Sequence, residues 1–195
     1  MKVKKIVATV LRIIGCAMII LSVSYIIIST IQQNNAVQKV EEITSAIHDV
    51  LPDVTISVPQ QTSNPQMPVM EINNQNFVGL IEASGYSNQL PIYSSWSPNK
   101  ISSYPCRFSG SVYSNNLIIG GSSNTGQFDF MKTISLNDTI YVTDFYGYKY
   151  GYSVTDIQTT TDVSAKNLNS FDADLLLFAP DKYNFDYSIV CCKLS

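Results

Sequence analysis

The sequence is very poor in histidine: its only one is His48. An imidazole is the usual general base for a serine, threonine or cysteine nucleophile near neutral pH. No histidine occurs from residue 49 to residue 195. His48 itself falls in a stretch with helical periodicity, where a solvent-facing position explains it. The C-terminal part of the chain therefore lacks the base that enzymes with a catalytic triad use.

Basic residues are also scarce outside the N-terminus. The chain has 12 Lys and Arg, and four of them are Lys2, Lys4, Lys5 and Arg12. The rest of the chain has eight basic residues against 15 acidic ones, a net charge of −7. Such a balance argues against nucleic acid or an anionic surface as the partner.

The cysteines are too few and too irregular for a disulfide framework. Cys16 lies in an apolar run, which leaves Cys106, Cys191 and Cys192, an odd number. One bridge from Cys106 to either of the other two remains open. Because Cys191 and Cys192 are adjacent, a strand would point them to opposite faces.

No cofactor or metal site is predicted. The Gly120-Gly121 pair lacks the lysine and the helix of a phosphate-binding loop. Asp138, Asp144 and Asp156 are too scattered for a metal site.

Charged residues are absent from Ile13 to Gln38, and the first part of that run is almost wholly apolar. About 20 apolar residues span a bilayer core. We therefore predict a basic cytoplasmic N-terminus over residues 1–12 and a transmembrane anchor over 13–32. The alternative is a cleaved signal peptide, but the run is too long and lacks a small-residue cleavage site. This topology predicts a single-pass cell-membrane protein with an extracellular C-terminal domain.

Three further segments follow the anchor. Apolar residues spaced by three and four predict a juxtamembrane helix over 33–51, ended by Pro52. Residues 52–70 are proline-rich and predict a linker. Residues 71–195 form short runs rich in Val, Ile, Tyr and Thr, which indicate a β-domain with a hairpin turn at Tyr146-Gly147.

Two stretches of the β-domain resemble a sortase, the surface transpeptidase of Gram-positive bacteria. They are LIIGGSSNTGQFDFMKTISL (Leu117–Leu136) and DLLLFAPDKYNFDYSIVCCKL (Asp174–Leu194). FVGLIEASGYSNQLPIYSSWS and LNDTIYVTDFYGYKYGYSV also resemble sortase segments, so the similarity extends from about Phe77 to Leu194. It is strongest to the class B and class D-like branches. The resemblance implies an all-β fold, a closed barrel of about seven to eight strands.

The same resemblance places the sortase catalytic triad on residues that cannot perform its chemistry. The His position is Ser122, the Cys position is Pro180 and the Arg position is Tyr187. Sortase chemistry needs a thiolate nucleophile and stabilisation of the oxyanion. Proline cannot attack, serine is no general acid near neutral pH, and tyrosine lacks the guanidinium fork. The fallback nucleophiles are Cys191 and Cys192, for which a packed thiol is the commoner role.

The resemblance and the substitutions together predict a catalytically degenerate sortase-like protein at the cell surface. Its partner would be a sorting-signal peptide of LPXTG type, a pilin or an active sortase. One alternative is an active transpeptidase or peptidase with a rearranged site. Another is a membrane-tethered scaffold or sensor, in which the helix over 33–51 docks a partner.

Overall fold

The N-terminal part of the chain is a long helix. A computed structural model describes residues 2–51, 55–56, 66–86, 88–123, 126–181 and 185–195. Helix α1 is Lys2–Val50. Within it, Ile14–Ile31 has a mean hydropathy of 2.3 and buries none of its side chains. By length and composition this segment could cross a membrane.

The two helices predicted over 13–32 and 33–51 are one continuous helix. The reason is local: no proline occurs before Pro52, and the polar Gln32–Asn35 segment interrupts the apolar run without breaking the helix. Glutamine in particular is a good helix former. The chain forms two compact units, residues 1–38 and 39–195, and the last turns of α1 belong to the second.

Those last turns pack on the β-domain. Val40, Ile43 and Ile47 are buried in its main hydrophobic core. They follow the three- and four-residue spacing that puts side chains on one face of a helix. The apolar stripe predicted from the sequence is thus a packing face for this chain's own domain.

The β-domain is a closed barrel. Eight strands form a ring in the order β8, β10, β9, β6, β5, β4, β3, β7, and β7 pairs back with β8. The predicted barrel of seven to eight strands is confirmed. The strands are β1 Thr55–Ile56, β2 Met70–Ile72, β3 Gln75–Ala83, β4 Leu90–Tyr93, β5 Cys106–Ser109, β6 Leu117–Gly120, β7 Thr139–Asp144, β8 Tyr148–Thr160, β9 Leu175–Pro180 and β10 Tyr187–Leu194.

The connections include three short helices, 3₁₀ helices Val112–Ser114 and Phe128–Lys132 and helix α2 Ala165–Leu168. The predicted hairpin is confirmed, because β7 and β8 are antiparallel and Gly147 has a φ of 82° in the turn. Of the linker predicted over 52–70, residues 52–54 and 57–65 lie outside the described residues. At its end Met67 is buried in the barrel core and β2 begins at Met70.

Strand β9 is apolar on both faces, which fits a strand covered on both sides. Leu175 and Leu177 face the barrel interior, whereas Leu176 and Phe178 belong to a second core on the outer face. Leu168 of α2 packs in that outer core. The alternation fixes which residues at the end of β9 face outward.

Candidate functional site at the ends of β6, β9 and β10

The three positions singled out by the resemblance lie together at one end of the barrel. Parallel strands β6 and β9 pair Gly120 with Phe178, and the Gly121 N–H donates to the Phe178 carbonyl at 2.9 Å. Ser122 and Pro180 each follow that pair by two residues. Tyr187 pairs directly with Pro180 across β9 and β10. Neighbouring strand ends therefore bring Ser122, Pro180 and Tyr187 to one place.

Strand alternation puts Pro180 and Tyr187 on the same face. Side chains two residues apart on a strand point the same way. Phe178 and Ile189 lie in the outer core, so Pro180 and Tyr187, two residues from each, share the outer face. Pro180 is exposed and Tyr187 is half-buried. Proline has no backbone N–H to donate. Because β6 ends at Gly120, opposite Phe178, a proline at the end of β9 leaves the pairing of β6 with β9 intact.

The backbone of Ser122 is held by the residues that close its loop. The Ser122 N–H donates to Gln127 Oε1 at 3.0 Å, and the Phe128 N–H donates to the Ser122 carbonyl at 3.0 Å. Gln127 is buried, and its Nε2 donates to the Ile101 carbonyl at 3.2 Å. Gln127 thus ties the start of this loop to the segment before β5. No feature of the sequence had singled Gln127 out, because its role depends on a contact across the fold.

An aromatic row continues the site along the outer face. The Trp96 ring lies 5.4 Å from Phe108 and 5.5 Å from Phe178, and Phe178 lies 6.3 Å from Tyr187, centroid to centroid. A side chain at Gly120 would come within 2.4 Å of Trp96 and 2.5 Å of Phe178. Gly120 therefore makes room for the row. Trp96 keeps 39% of its surface exposed, so the row ends in an accessible aromatic ring.

The fallback nucleophiles Cys191 and Cys192 lie further along β10 and are buried. Cys191 is in the outer core and Cys192 in the inner one, which confirms that they point to opposite faces. Cys191 follows Tyr187 by four residues, about 13 Å along a strand. Loss of hydration on burial raises the pKa of Cys191 to about 11 and that of Cys192 to about 12.

Cys106, on β5, is buried as well, and desolvation raises its pKa to about 11. The four cysteines are free thiols in the structure. A buried thiol with a raised pKa is the opposite of an activated nucleophile.

His48 lies on the exposed side of α1. Among the described residues, no group of three or more His, Cys, Asp and Glu could hold a metal ion. Asp144 is instead a structural carboxylate. It accepts from the Tyr113 hydroxyl at 2.7 Å and from the N–H groups of Tyr146 and Tyr148.

Comparison with known proteins bears on the fold of the barrel. No family model and no curated protein matches the sequence. Solved structures do. Sortase C from Clostridium perfringens SM101 matches with a TM-score of 0.53 and 18% identity, over 85% of this chain and 95% of that one.

The domain has the sortase fold. Sortase A from Corynebacterium diphtheriae is similar, with a TM-score of 0.53, 16% identity and 84% of each chain covered. A third structure is C. perfringens sortase C with the C-terminal cell wall sorting motif, with a TM-score of 0.53, 15% identity, 84% of this chain and 87% of that one. At such identities the likeness establishes the sortase fold, and function has to be argued from the site.

Proposed function

We propose that this protein is a catalytically degenerate sortase-fold protein that binds, without cleaving, a peptide of the sorting-signal type. The ligand that we propose is a sorting-signal peptide. The alternative partners at the same site are the tail of a pilin and an active sortase. The proposal rests on one observation above all. Ser122, Pro180 and Tyr187 meet where β6, β9 and β10 end. Together they contain no thiol, no imidazole and no guanidinium, so they cannot perform sortase chemistry.

Two features favour retained binding at this site. Gln127 and Phe128 hold the Ser122 backbone in place. The aromatic row offers the exposed ring of Trp96 beside the strand ends. Aromatic-lined grooves are a common device for docking extended and proline-containing peptides. A sortase C of the same fold has been solved with the C-terminal cell wall sorting motif, which makes that motif the first ligand to try.

The rearranged-enzyme alternative would need Cys191 or Cys192 as its nucleophile. Both thiols are buried, their pKa values are raised, and Cys191 lies about 13 Å along its strand from Tyr187. This weighs against a displaced thiol.

The proposed location is the cell membrane. The segment Ile14–Ile31 would be the single span, with the N-terminal lysines in the cytoplasm and the barrel outside. A protease protection assay on intact cells checks this orientation, since an extracellular barrel would be digested without lysis.

The binding proposal is tested by fluorescence anisotropy of a labelled LPXTG-type peptide with the full chain in neutral detergent. Trp96→Ala should weaken binding about tenfold, roughly 1.4 kcal/mol. Tyr146→Ala is the matched control. Tyr146 is 60% exposed and follows β7, at the other end of β8 from the Thr160–Tyr187 pair. Equal affinity for the Trp96→Ala protein and the parent would refute the role of the aromatic row.

A further inference from the structure

Among the residues that the structure describes, Arg107 is a half-buried cation without an acidic partner. Its Nε donates to the Ser94 carbonyl at 2.8 Å, and its Nη1 donates to the Gly110 carbonyl at 3.4 Å. In the described part of the chain, salt bridges involve Lys149 and Lys193 and none involves Arg107. Removing a charge from water without a counter-charge is costly. The loss of hydration lowers the pKa of Arg107, yet a guanidinium remains charged near neutral pH.

The buried carboxylate of Asp144 accepts hydrogen bonds from groups other than Arg107. One oxygen of Asp144 accepts a hydrogen bond from the hydroxyl of Tyr113, which lies in the 3₁₀ helix that follows Ser111. Its other oxygen accepts the N–H groups of Tyr146 and Tyr148 at 2.9 and 3.0 Å. Its charge is therefore compensated by hydrogen bonds that do not include Arg107.

Arg107 lines a cleft of about 280 Å³, and none of the described residues that line it is acidic. The lining residues are Gln66, Arg107, Gly110, Ser111, Ser114 and Asn116. Three of the five guanidinium N–H groups are left after the two carbonyl contacts, and serine hydroxyls add further donors. Because Asn116 Oδ1 accepts from the Ser111 N–H at 3.1 Å, the Asn116 amide retains its own two N–H donors. The lining is thus rich in donors and carries one positive charge.

One wall of the cleft is a tight turn at Gly110–Ser111. Gly110 has a φ of 77°, and a side chain there would come within 1.9 Å of the Asn116 carbonyl oxygen. The Tyr113 N–H donates to Ser111 Oγ at 3.1 Å, which caps the 3₁₀ helix. Because the backbone of this turn is already held in place, the cost of ordering it on binding is small.

The cleft is offset along the barrel from Ser122, Pro180 and Tyr187. Arg107, which pairs with Ile119, lies three residues of strand, roughly 10 Å, from Ser122, and the far end of the cleft lies further away. Asn116 precedes β6 and Ser122 follows it, so about six residues of extended chain, roughly 20 Å, lie between them. A small ligand in the cleft would therefore be offset from the strand ends.

We propose that this cleft binds the phosphate group of a small ligand. A guanidinium binds an oxyanion through a pair of parallel hydrogen bonds. A phosphate has more acceptor oxygens than a carboxylate, and Ser114 and Asn116 provide donors for them. The cleft is smaller than the roughly 300–1,000 Å³ of pockets for drug-sized ligands, so it suits a small phosphate-bearing group.

The test is isothermal titration of the full chain, in neutral detergent at constant ionic strength, with inorganic phosphate. We expect saturable binding of one phosphate, at least tenfold weaker in Arg107→Gln and about threefold weaker in Ser114→Ala. Lys166→Gln is the matched control, because it removes the same charge from an exposed position on α2. That control should bind phosphate as the parent does.

Arg107→Gln also removes two hydrogen bonds to the backbone, so circular dichroism checks the fold of each variant. If Arg107→Gln does not fold, Ser114→Ala decides, since its hydroxyl makes no hydrogen bond that holds the turn. Phosphate binding no stronger than chloride binding would overturn the proposal. So would acetate binding in place of phosphate, or unchanged affinity in a folded Arg107→Gln or Ser114→Ala protein.

Discussion

The three thiols of the barrel should resist alkylation in the folded protein. A Cys16→Ser variant leaves Cys106, Cys191 and Cys192, whose exposed fractions are 0%, 3% and 0%. We expect iodoacetamide at pH 8 to leave the folded protein unmodified over a period in which the urea-unfolded protein takes up three adducts. Intact-mass spectrometry counts the adducts directly.

The magnitude follows from ionisation and burial. A free thiol of pKa about 8.5 is about one-quarter thiolate at pH 8, whereas one of pKa about 11 is about 0.1% thiolate, a drop of about 250-fold. The more basic thiolate is the better nucleophile, which offsets about 13-fold of this drop for a pKa of about 11 and about 40-fold of the larger drop for a pKa of about 12. Ionisation alone therefore slows Cys106 and Cys191 by about 20-fold, and Cys192, with a pKa of about 12, by about 60-fold.

Burial slows the reaction further, because the reagent must wait for local opening of the structure. Rapid uptake of one adduct at Cys191 or Cys192 in the folded protein would refute this reasoning and support a displaced nucleophile. Cys191→Ala and Cys192→Ala variants identify which thiol reacted.

Three further predictions concern stability, each measured by urea unfolding. Burial raises the pKa values of the three thiols, so the unfolded chain loses these protons at lower pH than the folded protein does. The free energy of unfolding should therefore be constant below about pH 8 and fall from about pH 8.5 towards pH 11. The slope is at most about 1.4 kcal/mol per pH unit for each thiol. A flat profile between pH 8 and 10 would contradict this. Gly121→Ala should lower the free energy of unfolding by about 2–3 kcal/mol, because its Cβ would lie 2.3 Å from the fully buried Phe128 ring. The control Gly151→Ala meets only ordinary contacts and should lower it by less than about 1 kcal/mol. Equal losses in the two variants would contradict the packing argument. Asp144→Ala should cost about 3 kcal/mol or more by leaving buried donors without an acceptor, and Asp144→Asn clearly less; a mild alanine variant would contradict the role of Asp144.

The barrel could be predicted because its sequence signals are local. The apolar runs of β9 and β10 and the turn at Tyr146-Gly147 each fix a strand or a hairpin within a few residues. The resemblance singled out Ser122, Pro180 and Tyr187, and the pairing of β9 with β6 and with β10 explains why they lie together.

Other features depend on contacts between distant residues, which no local pattern encodes. Strand β5 has four residues and no clear alternation, and it exists because β4 and β6 pair with it. The hydrogen bonds of Gln127 to Ser122 and Ile101 join two loops. The continuity of α1 across the end of the predicted anchor was not predicted, because the apolar run ends there while the polar residues that follow remain good helix formers.

We propose that the site at the ends of β6, β9 and β10 binds a peptide without cleaving it. The most direct test incubates the full chain with an LPXTG-type peptide and an amine acceptor, with binding followed by anisotropy and products by mass spectrometry. We predict saturable binding and no cleaved or transferred product. Two results would contradict this proposal. One is cleavage of the peptide by the parent protein that is abolished in a Cys191→Ala/Cys192→Ala double variant. The other is the absence of binding to sorting-signal peptides, to pilin tails and to sortase partners.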